Sequence, residues 1–282
     1  MFQSLLTKTC FRWNLPATYL LASRVSLYKK EYDKAIEYAT YVIAAQPQLY
    51  DLSAMSDDDY FLNEKNPEIL FTYGYYLVSY YAWLAKCNFP ISDDLQALYG
   101  DNDWRLTHFF YKRRAVYTAQ KSETSGTTGI YGYAFRTAEA YLNRAEAYAG
   151  KGDKDKALQD LKTIREKRLK VYEEVQAVTK EDVIRRVREE RRRELSFEFH
   201  RWFDLRRWDR PRIEHTFTPD IKQPDVVEKY VLEKDDPAYT LPLPRSVVEY
   251  DPTLVDNPRP QRENQNVTGE NRFCVIGSNA GR

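Results

Sequence analysis

The side chains best suited to hold a small polar ligand are aromatic and clustered. Tyr73-Gly74-Tyr75-Tyr76-Leu77-Val78-Ser79-Tyr80-Tyr81-Ala82-Trp83 is followed at some distance by Trp104. Flat rings stack on the apolar C–H faces of sugars, and Tyr adds a hydroxyl at the edge of an apolar face. Tyr75, Tyr76, Tyr80, Tyr81, Trp83 and Trp104 are therefore the candidate ligand-binding residues, with core packing as the alternative for each ring. They fall on a segment outside the regular helical pattern, and loops carried by a rigid scaffold often hold sites.

Bond-breaking chemistry has little support. The histidines are His108, His200 and His215, and none pairs with another His or a Cys at metal-ligand spacing. The chain has no G-x-S-x-G, P-loop or dinucleotide fingerprint. Glycoside hydrolysis needs two carboxylates about 5–9 Å apart. With 42 acidic residues, however, naming a pair carries no information. Asp57-Asp58-Asp59 and Asp93-Asp94 suit helix caps or solvated loops, with calcium ligation as the alternative. No cofactor and no catalytic residue is expected.

The block Glu189 to Trp208 mixes guanidiniums, carboxylates and indole rings on what reads as one continuing helix. Partners three or four apart face each other on a helix, which pairs Glu189 with Arg193 and Asp204 with Arg207. Leu195, Phe199, Trp202, Phe203 and Leu205 offer apolar surface to bury. Arg–carboxylate forks satisfy each other when partly buried, so the block reads as an internal brace, with His200 in a structural role. Glu189, Glu190 and Glu194 interrupt the basic run from Arg185 to Arg193, and with a net charge of +1 this argues against nucleic acid as a partner.

The spelling E-R-R-x-E-L-x-F-E-x-H-R-W-F-D-L-x-R-W over Glu190 to Trp208 resembles the SusD/RagB family. So do N-P-E-I-x-F at Asn66, S-x-x-L-x-x-x-Y at Ser92 and Y-x-L-P-L-P at Tyr239. Phe199 stands where that family usually carries a small residue such as Gly. The resemblance covers roughly residues 14 to 260 and implies the C-terminal portion of such a protein, lacking the N-terminal half. It implies a non-catalytic nutrient-binding lipoprotein at the outer face of the outer membrane, working with a SusC-type TonB-dependent transporter. Oligosaccharide or polysaccharide is the implied cargo, with peptide as the alternative. A soluble tetratricopeptide scaffold is the reading from another class.

Cysteine usage bears on the membrane. Cys10, Cys87 and Cys274 support no disulfide framework. Lys8 and the short apolar stretch before Cys10 do not fit a lipobox, so Cys10 reads as an ordinary cysteine. Membrane association would then require a lipid anchor that this stretch does not supply.

The elements that must position these residues are mainly helical. Ala17 to Tyr28 and Tyr32 to Ala45 have helical spacing, with Ala35 small where the two approach and Pro47 beyond the end. Arg136 to Gly150 and Lys154 to Arg168 repeat the device around Gly152-Asp153. Ser92 is expected to cap a short helix reaching Tyr99, and Thr179 to start the long basic one. The stretch from Ile213 to Ala238 reads as loop, and Arg245 to Tyr250 as a turn of helix. The expected fold is all-α in the main, tetratricopeptide-like helix pairs carrying loop-rich insertions with little β structure. The expected segments are 1–50, 51–135, 136–212 and 213–282, the second of them ligand-facing.

Overall fold

The structure is a computed structural model that describes residues 9–73, 90–113, 116–122, 131–217 and 228–257. The chain divides into two compact units, Met1–Arg201 and Trp202–Arg282. Most regular structure is helical and the strands form small two-stranded sheets, in agreement with the expected fold class.

In the first unit, helix α1 (Leu15–Tyr28) starts at Asn14, whose side chain accepts from the Ala17 amide at 3.0 Å, with a proline in the first turn. Ala17, Leu20, Ser23 and Leu27 form its buried stripe. Helix α2 (Tyr32–Ala45) answers with Ala35, Ala39 and Val42. The small pair Ser23 and Ala35 lets the backbones approach, and the Ser23 hydroxyl donates to the Ala35 carbonyl at 3.0 Å.

Helix α5 (Thr137–Lys151) is the centre of this unit, packing on α1, α2, α6 (Lys154–Arg165) and α7 (Lys180–Glu194). Gly150 lies close under the Tyr32 ring: a Cβ there would come within 2.6 Å of it, so a larger residue requires that ring to shift. Gly152 ends α5 at φ +87°, a left-handed conformation that glycine adopts without a Cβ clash. Ala157, Leu161 and Ile164 of α6 face inward as the periodicity predicts. Thr179 and Asp182 form a reciprocal capping box at the start of α7.

The insertion between the helix pairs has its own apolar core, including Leu52, Phe61, Leu62, Ile91, Leu95, Phe109 and Phe110. It carries β1 (Ile69–Tyr73) paired antiparallel with β4 (Tyr133–Arg136), and β2 (Phe110–Arg113) paired with β3 (Val116–Ala119). Two single-turn helices, α3 (Asp93–Gln96) and α4 (Arg105–His108), lie between them in sequence. Ser92 occupies the cap position of α3 without a side-chain cap bond, and the helix stops short of Tyr99.

The block 189–208 is not one continuing helix. Helix α7 ends at Glu194, Phe197 and Phe199 follow at φ +59° and +64°, and helix α8 (Arg201–Arg207) begins afresh. The reason is chemical. The Glu194 carbonyl accepts from Lys121 Nζ at 2.8 Å and from Arg136 Nη2 at 3.2 Å, so buried side chains take the place of the next helical turn. Pairing within α7 also differs: Glu190 holds Arg193, while Glu189 holds Arg186. Leu195 is buried as expected, but Phe199 is half exposed.

In the second unit, Asp204 and Arg207 pair at 2.8 Å, as the spacing predicts. Leu205 is buried, whereas Phe203 is half exposed. Trp202 stacks on Tyr239 at 5.3 Å, and the Tyr239 hydroxyl donates to the Pro211 carbonyl at 2.5 Å. The stretch read as loop contains a correction: β5 (Ile213–Phe217) pairs antiparallel with β6 (Glu228–Leu232). None of the described side chains of this pair is fully buried and most are exposed, and Lys229 bridges to Glu214 at 2.6 Å. A strand that buries neither face shows no hydrophobic alternation, and periodicity therefore passes over it. Helix α9 (Arg245–Tyr250) forms where expected.

Candidate functional site

The positioning device is a buried ionic lattice in the first unit. Arg168 donates to Glu194 and to Glu68, and Arg136 donates to Glu68, Glu194 and Glu198. Arg105 joins Asp103, Glu190 and Glu194, and Lys121 reaches Glu198 at 2.7 Å. The three guanidiniums, the ammonium and Glu68 and Glu194 are fully buried, so each charge depends on its partners for the solvation that water would supply. Burial works to raise the Glu194 carboxyl, but Arg168, Arg136 and Arg105 hold it well below the usual carboxylate range. Burial pushes the Lys121 ammonium down to about 8 against the pull of Glu198. The internal brace read from the 189–208 block is thus present, with most of its partners drawn from elsewhere in the chain.

The lattice anchors one end of a ribbon. Glu68 immediately precedes β1, Arg136 ends β4, and Ile69 and Arg136 are cross-strand partners. From this fixed base the register runs outward through Phe71 opposite Phe135 to Tyr73 opposite Tyr133. Residues two apart on a strand share a face, so these four rings form one aromatic surface. Leu70 and Thr72 point the other way and are buried.

The surface is continuous. Tyr73 stacks on Tyr133 with centroids 5.2 Å apart and on Phe71 at 5.8 Å. Trp13 packs edge-on against Phe71 at 4.9 Å and Phe135 at 5.3 Å, and Phe199 lies 5.2 Å from Tyr133. Trp13, Tyr73 and Phe199 are 48%, 54% and 50% exposed, a level at which rings remain open to a ligand. Arg24 lies over Phe135 at 4.6 Å while both its forks hold the buried Glu139 carboxylate. The ribbon therefore presents rings on a base that cannot shift without breaking buried ion pairs.

Five of the six candidate ligand residues, Tyr75, Tyr76, Tyr80, Tyr81 and Trp83, lie outside the described residues. Trp104 is described and sits elsewhere, at the N-cap of α4, packed against the core of the insertion. Lys170 Nζ lies 5.1 Å from its ring centroid and the His108 ring 5.9 Å away. Among the described residues, none of the ribbon's rings is its neighbour. The candidate set read from the sequence did not include Trp13, Phe71, Tyr73, Tyr133, Phe135 or Phe199. The available signal was the alternation Phe71-x-Tyr73 and Tyr133-x-Phe135, two short strands each flanked by a lattice residue.

Comparison with known proteins agrees with this architecture. A solved structure from Bacteroides vulgatus ATCC 8482, provisionally named a sugar binding protein, is 25% identical, with a TM-score of 0.64 over 90% of this chain and 62% of its own. A SusD superfamily protein from Bacteroides thetaiotaomicron VPI-5482 has a TM-score of 0.64 at 24% identity, over 87% of this chain and 61% of its own. A SusD-like carbohydrate binding protein from Bacteroides vulgatus ATCC 8482 has a TM-score of 0.52 at 17% identity, over 80% of this chain and 52% of its own. The chain thus spans between about half and three fifths of the length of these neighbours. No curated protein matches it. The model of the SusD family matches residues 68–259, from the lattice acid Glu68 to beyond α9, and the chain belongs to that family.

Proposed function

We propose that this chain is the ligand-presenting part of a non-catalytic binding protein that captures nutrient oligomers, glycans in the first place, for import through a SusC-type TonB-dependent outer-membrane transporter. The observation that carries the reading is the aromatic ribbon of Phe71, Tyr73, Tyr133 and Phe135, with Tyr73 exposed and the other three partly buried, extended by the half-exposed Trp13 and Phe199. Such a surface gains affinity by stacking on sugar rings and breaks no bond. The carbohydrate-binding and sugar-binding names of two structural neighbours support the same cargo class. Among the described residues no helix is long and apolar enough to cross a membrane. Attachment to the outer membrane in this reading is by a lipid anchor.

The test is native affinity electrophoresis through gels containing starch, xylan, pectin or mannan, with Tyr73→Ala/Tyr133→Ala run beside the parent chain. Retardation by at least one glycan, lost in the double variant while circular dichroism is unchanged, is the expected result. A folded parent chain that no glycan retards would count against glycan cargo and turn the reading toward peptides.

A further inference from the structure

Arg24 of α1 stands beside the ribbon with two of its three guanidinium nitrogens engaged. Its Nε and Nη2 donate to Oε1 and Oε2 of Glu139 on α5, each at 2.6 Å, and the Glu139 side chain is buried. The third nitrogen, Nη1, has no hydrogen-bond partner among the described residues, and the fold does not close it off from solvent. The Arg24 side chain stays 22% exposed. Its guanidinium carbon lies 4.6 Å from the centroid of Phe135, so one nitrogen with two N–H donors is left open beside the ribbon.

Stacking holds a sugar ring against a flat surface but does not fix how that ring is turned in its own plane. A few placed polar groups do so in small-molecule sites. On the ribbon the Tyr73 and Tyr133 hydroxyls stand at the outer end of the strand pair. At the base end Phe71 and Phe135 offer no polar atom, and Trp13 Nε1 already donates to Thr18 Oγ1 at 2.8 Å. The Asn14 amide is spent as well, on the Arg12 and Leu70 carbonyls at 3.2 and 2.7 Å. Trp13 and Arg24 both pack on Phe135, at 5.3 and 4.6 Å from its centroid, and Trp13 is half exposed. A sugar unit resting on Trp13 thus meets Nη1 as a donor that the fold leaves uncommitted.

We propose that Arg24 is the orienting residue of the ribbon site, its Nη1 donating to a ring hydroxyl of the sugar unit stacked on Trp13. The inference rests on the glycan reading of the ribbon and adds to it a group that carries direction. Glu139 is the other half of the arrangement. Its two-bond hold fixes the plane of the guanidinium, so Nη1 is presented with little side-chain freedom left to lose on binding.

Affinity electrophoresis of the whole chain over a concentration series of starch, xylan, pectin or mannan tests the proposal. The parent is compared with Arg24→Lys, Arg24→Met/Glu139→Gln and Tyr73→Ala/Tyr133→Ala. Lysine keeps a cation for Glu139 but places its single nitrogen there, short of the position of Nη1. Arg24→Lys is expected to weaken retardation by whichever of these glycans holds the parent roughly tenfold, the scale of one charged hydrogen bond, with near-ultraviolet circular dichroism unchanged. A purely structural Arg24 would be rescued by lysine. If Arg24→Lys does not fold, Arg24→Met/Glu139→Gln, which removes both charges of the pair together, decides in the same way. Parental retardation in either folded Arg24 variant, with retardation lost in Tyr73→Ala/Tyr133→Ala, would overturn the role of Arg24 and leave the ribbon reading standing. A folded parent that none of the four glycans retards would overturn both.

Discussion

Arg168 holds Glu194 through two bonds of 2.9 Å each, Nε to Oε2 and Nη2 to Oε1, with both side chains fully buried. The same guanidinium also reaches Glu68 and the Tyr50 carbonyl, each at 2.5 Å. One side chain thereby ties the end of α7, the entry to β1 and the start of the insertion together. Lysine carries the charge but cannot reproduce the fork. Arg168→Lys and Glu194→Gln are each expected to lower the unfolding free energy by ~3–5 kcal/mol, the scale for breaking a buried ion pair. Urea denaturation followed by circular dichroism measures it; a loss under ~1 kcal/mol for both would show that the lattice is not a brace.

Acid should unfold the chain through its buried carboxylates. Burial tends to raise Glu139, but Arg24, His200 and Arg191 hold it down to about 2, against 4.5 when unfolded. The folded value lies below the unfolded one, so the stabilisation is complete above about 4.5 and is lost as the pH falls toward 2. For this residue it is on the order of 3 kcal/mol at neutral pH. Glu194 and Glu190 act in the same sense, while Asp160, raised by burial, acts in the opposite one. Melting temperatures between pH 5 and 2 should fall steeply in the parent and less steeply in Glu139→Gln.

On the alkaline side one buried group makes stability rise with pH again. Lys121 sits at about 8 when folded and 10.5 when unfolded, so between these values the unfolded chain binds more protons and stability rises with pH. Tyr99, raised by burial above its ordinary 10.0, reverses the trend above that value. A melting temperature that climbs from pH 8 toward 10, and no longer does so in Lys121→Met, is the expected observation.

Phe199 combines a left-handed backbone, φ +64°, with a ring 50% exposed against Tyr133. A non-glycine residue held there costs roughly 1–2 kcal/mol. Phe199→Gly should therefore leave stability unchanged or raise it by up to ~1 kcal/mol, while weakening glycan retardation by removing one edge of the ribbon. A clear drop in melting temperature would show that the ring's packing outweighs the backbone relief.

Ala35 tests the helix pair. It is fully buried where its carbonyl accepts from Ser23. Ala35→Leu should cost ~1–3 kcal/mol through overpacking at the crossing of α1 and α2. Thermal unfolding measures it, and a neutral result would show that the pair separates at little cost.

By itself the sequence determined the paired helices, because apolar positions at helical spacing and caps such as Gly152 and Thr179 act within a few residues of themselves. The family was legible for the same reason: its spelling is contiguous over Glu190 to Trp208. Only the tertiary structure decided which acids meet which bases. Glu68 reaches Arg168 across 100 residues, and no local spacing encodes that partnership. The same holds for the break after Glu194, where side chains from distant parts of the chain satisfy a carbonyl that local rules assign to the next turn. The ribbon is the intermediate case. Its alternation is written in Phe71, Tyr73, Tyr133 and Phe135, but register and buried anchoring bring the two strands face to face, and these arise only when the chain folds.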